Sequence, residues 1–157
     1  ERHTTFCDTF VPTTFVGNHD VTRIASKLGD AGAALATVAL FTLPGMPVVY
    51  YGDEQAYHGE KFEDWGGDDQ VRPLFPARPE ELSELGRWMY RLHQDLIGLR
   101  RRHPWLVRGR VEVTELANER IAYTVRANEG ALQVVLDLTG QPRAQVSRDG
   151  EVLLAWS

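Results

Sequence analysis

The first half of the chain alternates short apolar runs with a helical pattern. The run TTFVG at residues 13–17 is mostly apolar and follows Pro12, as a buried strand would. An alanine-rich run comes next, with Asp30 placed to cap it, and predicts a helix near residues 30–43. The run PVVYYG predicts a second strand near residues 47–51. Strand, helix and strand in this order form a βαβ unit with parallel strands.

A long irregular segment separates this unit from a second helix. Residues 53–78 are rich in glycine, aspartate and aromatic residues and show no sustained periodicity, and a loop of this length is usually functional or disordered. Leucines at steps of three and four then predict a helix near residues 80–102. Acidic residues at its start and three arginines at its end suit the helix dipole. The stripe is too short for a coiled coil, so we expect this helix to pack on a sheet.

Beyond Trp105 the pattern changes to a period of two. The runs RIAYTVR and LQVVLDL place apolar side chains on one face, and Asn-Glu-Gly and Asp-Gly supply turns between such runs. We expect about five antiparallel strands, as a small sheet or a sandwich. The predicted fold is therefore α/β followed by all-β, with one unit at residues 1–104 and a second at residues 105–157.

The composition narrows the classes of partner. The chain has 157 residues, of which 43% are hydrophobic and 25% charged, as in an ordinary globular protein. Its net charge of -5 gives no electrostatic reason to expect nucleic acid or an anionic membrane as a partner. We see no apolar run close to the roughly 20 residues of a membrane span, and we expect no membrane. The single cysteine, Cys7, excludes an internal disulfide.

Each predicted strand is followed at once by hydrogen-bonding side chains. Asn18, His19 and Asp20 come after the first strand, and Tyr51 and then two acids come after the second. The carboxyl ends of neighbouring parallel strands face one cleft, where ligands bind in sheets of this kind. Asp20 could accept two hydroxyls and His19 could donate to a third, which suits a sugar ring. The alternatives are an Asx turn or helix cap at the triplet, and a solvated pair at Asp53 and Glu54.

Other chemistries have less support in the sequence. One imidazole beside one carboxylate is too little for a metal site, so we expect none. The sequence contains no phosphate-binding glycine loop, Ser-His-Asp order or Cys-His pair, and we expect no cofactor. Of the four tryptophans, Trp65 in the long loop is the candidate for stacking on a sugar, because Trp88, Trp105 and Trp156 are as easily core residues.

Two segments together resemble the α-amylase family, glycoside hydrolase family thirteen. FVGNHDVTRI resembles the end of that family's seventh barrel strand, and LFTLPGMPVVYYGDE is similar to its seventh helix and eighth strand. The order and separation of the two segments also match. The resemblance covers residues 13–54, extends through the long helix, and is architectural after Trp105.

The resemblance implies a fold and a reaction. The family folds as a (β/α)8 barrel followed by an antiparallel β domain, and it cleaves or transfers α-glucosidic bonds with retention, through a covalent glycosyl-enzyme. On this basis the chain holds the last two βα units of the barrel and the β domain. Its expected substrate is an α-glucan or a maltooligosaccharide.

The resemblance also implies roles for individual residues. Asp20 resembles the carboxylate that grips two sugar hydroxyls and stabilises the transition state, and His19 resembles the neighbour that binds the same sugar. Asn18 orients these two residues, and Arg23 is frequent in some branches of the family. Tyr51 belongs to the eighth-strand motif, which is more structural than catalytic. We count all three residues as candidates for binding the sugar. The loop DWGGDDQVRPLF loosely resembles the stretch after the eighth strand and adds two site candidates, Asp68 and Arg72.

The family's two reacting carboxylates have no counterpart in this sequence. A retaining glycosidase needs a nucleophile and an acid/base about 5 Å apart, and the family carries them on its fourth and fifth strands. We therefore expect a C-terminal fragment that is inactive alone. Its exposed barrel edge would be covered by the missing N-terminal portion or by a homodimer. The alternatives are a non-catalytic carbohydrate-binding or structural module, and one half of a split enzyme.

Overall fold

The computed structural model describes Thr5 and residues 9–157, so Cys7 lies outside the described residues. The first part holds two very short strands and two helices, and the last part holds five longer strands. Short 3-10 turns lie at residues 53–55, 79–81, 84–86 and 104–108. The elements are β1 (Thr13–Thr14), α1 (Ile24–Thr42), β2 (Met46–Pro47), α2 (Arg87–Arg102), β3 (Arg110–Leu116), β4 (Arg120–Ala127), β5 (Gly130–Asp137), β6 (Arg143–Arg148) and β7 (Glu151–Trp156).

The strands β1 and β2 pair in parallel and α1 connects them, which confirms the βαβ unit. Thr13 lies opposite Met46, and Thr14 opposite Pro47. The strand lengths predicted from the sequence, 13–17 and 47–51, are wrong, because each strand has two residues. In the described part of the chain β1 and β2 form a sheet of their own, with no further strand beside either.

Helix α1 begins at Ile24, six residues before the predicted start. Gly29 interrupts it with φ 69° and ψ 172°, a left-handed conformation that glycine adopts easily, so the predicted start falls at this kink. The carboxylate of Asp30 bonds to Nε2 of His58 at 2.9 Å, and no helix cap by Asp30 is seen. At the other end Arg100 of α2 donates to the carbonyls of Phe41 and Leu43, at 2.8 and 3.0 Å. Helix α2 thereby satisfies carbonyl groups at the C-terminal end of α1.

Helix α1 also has the length and composition of a membrane span, with 19 residues and a mean hydropathy of 1.3. The expectation that no apolar run comes close to that length is therefore wrong. Of the most apolar 18-residue stretch of this helix, 44% is buried inside the protein, and the buried hydrophobic residues of the helix belong to the central core. A core helix has the same apolar composition, so these properties are weak evidence for a membrane.

Helix α2 begins at Arg87, later than the predicted 80–102, because the residues before it form two 3-10 turns. Gly86 ends the second turn in a tight contact, where a Cβ would lie 2.5 Å from the carbonyl oxygen of Gln55. The predicted apolar stripe is confirmed from Met89 onward, whereas Leu85 is exposed. The stripe consists of Met89, Leu92, Leu96 and Leu99.

Strands β3 to β7 form one antiparallel sheet in sequence order, which confirms the predicted five-strand meander. The described residues form a single sheet rather than a sandwich, and its inner face packs on the two helices within one hydrophobic core. The hydroxyls of Thr42 in α1 and Tyr123 in β4 share a buried hydrogen bond of 2.5 Å. Burial raises the pKa of Tyr123. The division into units 1–104 and 105–157 stays a prediction.

Leu96→Ala tests the contribution of this shared core. Leu96 is fully buried, and its truncation should lower the free energy of unfolding by about 2–5 kcal/mol, through lost burial and the cavity that remains. The neighbouring residue Ile97 is 38% exposed, and Ile97→Ala should cost about 1 kcal/mol or less. Urea unfolding followed by circular dichroism measures both, and equal losses for the two variants would contradict the packing.

Candidate active site

The triplet after β1 forms an Asx turn. The side-chain oxygen of Asn18 accepts the backbone amide of Asp20 at 2.8 Å, which confirms the turn that the sequence left open. The turn leaves the side chains of His19 and Asp20 exposed by 60% and 64%. Nε2 of His19 lies 3.2 Å from Oδ2 of Asp20. An imidazole and a carboxylate are therefore presented together to solvent.

Arg72 returns to this turn from the far end of the long loop. Its guanidinium donates to Oδ1 of Asp20 at 3.1 Å and to the backbone carbonyl of His19 at 3.2 Å. It also pairs with Asp68 at 2.7 Å. Lys61 pairs with the same carboxylate and, together with Arg72, holds the pKa of Asp68 below its usual range. The structure thus brings the two loop candidates, Arg72 and Asp68, to Asp20.

Arg23 was expected to bind the sugar, but the structure gives it another place. Its side chain is 1% exposed and donates to the carbonyls of Tyr51 and Val71, at 2.6 and 2.8 Å, and to Oδ1 of Asp53 at 3.0 Å. The guanidinium carbon also lies 4.4 Å from the ring centre of Tyr50. The geometry does not favour the expected sugar contact, because the side chain is buried and its two terminal nitrogens donate within the protein. The Nε atom of Arg23 is also buried and has no hydrogen-bond partner among the described residues.

Asp53 is buried rather than solvated, which overturns the alternative of an exposed acidic pair for this residue. Burial raises its pKa, and the guanidinium of Arg23 opposes that rise. Its Oδ2 has no hydrogen-bond partner among the described residues, and a Cβ at Gly17 would lie 2.9 Å from this atom. Glycine at position 17 therefore lets the chain pass close to the buried carboxylate just before the Asx turn.

Tyr51 and Trp65 differ in how firmly they are held. The hydroxyl of Tyr51 donates to the carbonyl of Pro73 at 3.0 Å, and its ring meets the ring of Phe75 edge-on at 5.7 Å. The Tyr51 ring thus fastens the chain that follows Arg72. The side chain of Trp65 is fully exposed and lines a shallow depression of about 370 Å³ with Lys61 and other loop residues. Neither His19 nor Asp20 lines this depression.

Residues 59–72, which we call the strap, are fastened to the start of α1 by contacts that sequence reasoning missed. The amide of Gly59 donates to the Ser26 hydroxyl at 2.8 Å, and the amide of Lys61 donates to the Thr22 hydroxyl at 2.9 Å. The amide of Arg23 donates to the carbonyl of Gly59 at 2.9 Å. The far end of the strap is held by the side chains of Arg23 and Arg72. The available signal was a pair of hydroxyl side chains, Thr22 just before α1 and Ser26 in its first turn, but their partners lie far away in sequence.

The site suits recognition of hydroxyl groups. The carboxylate of Asp20 can accept hydrogen bonds from hydroxyls, while the imidazole of His19 and the guanidinium of Arg72 can donate them. Within residues 9–157 and Thr5, no group of three or more His, Cys, Asp or Glu side chains could hold a metal ion. The polar groups of Asp20, His19 and Arg72 can form hydrogen bonds to a ligand around one exposed carboxylate.

Comparison with known families identifies the family to which this chain belongs. The family model for the catalytic domain of alpha amylase matches residues 1–80 of the 157, a range that contains β1, α1, β2 and the whole strap. The chain belongs to the α-amylase family.

Individual relatives match over short segments. Salivary alpha-glucosidase of Anopheles gambiae is 61% identical over 41 residues, which cover 26% of this chain and 7% of the relative. The human amino acid transporter heavy chain SLC3A1 is 42% identical over 43 residues, covering 27% of this chain and 6% of the relative. The matched segments are therefore small parts of much longer proteins.

Solved structures match over more of the chain. The cyclic α-maltosyl-(1→6)-maltose hydrolase of Arthrobacter globiformis, in complex with that cyclic sugar, superposes with a TM-score of 0.65 at 26% identity. The match covers 80% of this chain and 27% of the hydrolase. The superposed part therefore extends well beyond the segments matched in sequence.

Asp53→Asn tests the buried ion pair through pH. Burial raises the pKa of Asp53, so the contribution of its carboxyl group to stability is complete below its ordinary pKa of 3.8 and is lost as pH rises through the raised value. The difference in free energy of unfolding, wild type minus variant, should therefore be larger at about pH 4 than at about pH 7. Urea unfolding at the two pH values measures it. If this difference in free energy of unfolding grew with pH, Arg23 would stabilise the Asp53 carboxylate by more than the free energy that its burial costs.

Proposed function

We propose that this chain supplies a transition-state-stabilising carboxylate, Asp20, to a retaining glycoside hydrolase or transglycosidase that acts on α-glucans. The observation that carries the proposal is the exposed carboxylate of Asp20 beside His19, within the segment that matches the family's catalytic domain. In such a reaction positive charge develops on the sugar ring, and a fixed carboxylate stabilises it. His19 would donate a hydrogen bond to the same ring.

The substrate is an α-glucan or a maltooligosaccharide. The relatives support this class, since one is an alpha-glucosidase and another is a hydrolase solved in complex with a cyclic maltosyl sugar. Arg72 would bind the sugar beside Asp20, because 43% of its side chain is exposed and its guanidinium already lies at that carboxylate. Asn18 would act indirectly, by holding the turn. Trp65 would offer a stacking surface to a longer substrate.

The nucleophile and the acid/base would come from other polypeptide. Retention requires two carboxylates about 5 Å apart. Asp68 is the carboxylate linked to Asp20 through Arg72, but it already forms ion pairs with Lys61 and Arg72. We propose that β1, α1 and β2 are part of the last two βα units of a (β/α)8 barrel, and that residues 105–157 form the following β domain. The short two-stranded edge would then pair with the rest of the barrel, either from a longer N-terminal portion or across a homodimer.

A non-catalytic role is the second candidate, and one relative favours it. This relative is named an amino acid transporter heavy chain and not a glycosidase, and it shares 42% identity over 43 residues with this chain. Resemblance in this segment therefore does not by itself establish catalysis. Titration of this chain with maltooligosaccharides separates the two candidates. Saturable binding by the chain alone supports an independent sugar-binding module, whereas absence of binding supports a site that needs the rest of a barrel.

Asp20→Asn in the complete enzyme tests the catalytic proposal. The substitution removes the negative charge but keeps the size of the side chain, so kcat should fall about 100- to 1,000-fold while oligosaccharide binding survives. Asp95→Asn, at an exposed position of α2, is the control and should leave kcat unchanged. Release of reducing sugar from a maltooligosaccharide measures kcat. Near-normal turnover of the Asp20 variant would end the assignment.

A further inference from the structure

A second cavity, of about 620 Å³, opens where the 3-10 turn Pro104–Arg108 meets the beginning of the sheet. Its volume is in the range of small-molecule sites. None of its lining residues belongs to the strap or to the turn that carries Asp20. The lining consists of Pro104, Trp105, Val107, Arg108, Arg110, Arg126, Ala127, Asn128 and Glu129.

Positive charge dominates this cavity. Arg108 and Arg126 are both exposed, and in the described part of the chain neither has a carboxylate within ion-pair distance. Arg110 lies directly opposite Arg126 in the β3–β4 ladder and makes a further contact of its own, so the argument uses only the other two arginines. Two guanidinium groups around one opening suit an oxyanion, because each presents a planar fork of donors that fits phosphate or carboxylate oxygens.

The other lining residues suit the hydroxyls and ring of a sugar better than they suit a bare anion. Asn128 offers an amide, and Glu129 offers a carboxylate that would repel a free phosphate but can accept sugar hydroxyls. The turn that carries both is fixed, because Arg148 donates to the carbonyl of Glu129 at 3.1 Å. Trp105 is half-buried and is held edge-on against the ring of His103 at 5.8 Å, so an ordered aromatic side chain forms part of the lining.

We propose that this cavity binds a phosphorylated sugar. The phosphate group would lie between Arg108 and Arg126, the hydroxyls would bond to Asn128 and Glu129, and the ring would pack on Trp105. The proposal is independent of the function proposed for Asp20, because the two sites share no residue.

Isothermal titration of the full chain with glucose 1-phosphate tests the proposal, with glucose and inorganic phosphate as comparison ligands. We expect saturable binding of glucose 1-phosphate and no binding of glucose. The affinity for inorganic phosphate should be at least about tenfold lower than that for glucose 1-phosphate. Arg108→Gln and Arg126→Gln should each weaken the binding about tenfold, since each removes a charged hydrogen-bond donor. Arg101→Gln, at an exposed position near the end of α2, should leave it unchanged.

Amide chemical shifts locate the bound ligand. Changes on adding glucose 1-phosphate should centre on residues 105–110 and 126–130. The proposal is overturned by absence of saturation, by equal affinity for inorganic phosphate, by equal affinities of the three arginine variants, or by shift changes centred on residues 18–20 and 72. Unchanged thermal unfolding midpoints of the variants show that any loss of affinity comes from the site.

Discussion

The buried guanidinium of Arg23 is the constraint on which the candidate active site depends. A charge at 1% exposure is costly unless it is paired and hydrogen-bonded, and the two terminal nitrogens of Arg23 meet that need with two backbone carbonyls and one carboxylate. These acceptors come from the chain after β2 and from the strap, while Arg23 itself precedes α1. Satisfying one buried charge therefore brings three distant segments together.

The position of Asp20 follows from the same contacts. Val71, whose carbonyl binds Arg23, immediately precedes Arg72, which donates to Asp20. At the other side, Gly17 passes against the carboxylate of Asp53 and leads into the Asx turn. The exposed carboxylate is thus held between two segments that are both tied to the Arg23–Asp53 pair. A preorganised carboxylate of this kind is what stabilisation of developing positive charge on a sugar would require.

Local patterns in the sequence predicted the elements and the site triplet, but not the contacts between them. Periodicity identified the leucine stripe of α2 and the five-strand meander, because both depend on burial of one face. It placed the start of α2 too early, because the residues before Arg87 form two 3-10 turns, the second of which ends at Gly86 in a tight contact with the distant Gln55. The Asx turn at Asn18 was an open alternative, since its bond spans two residues. The burial of Arg23 and Asp53 could not be predicted, because it depends on a carbonyl 48 residues away.

Hydrogen exchange of the Arg23→Lys variant tests most directly whether this one side chain organises the site. Lysine keeps the charge but lacks the planar fork that reaches three acceptors, so the contact with Val71 should be lost. The amides of Asp69, Val71 and Arg72, which are hydrogen-bonded within the strap, should then exchange faster, while those of α2 and of β3 to β7 keep their wild-type rates. Unchanged exchange in the strap, or equal acceleration throughout the protein, would contradict the account.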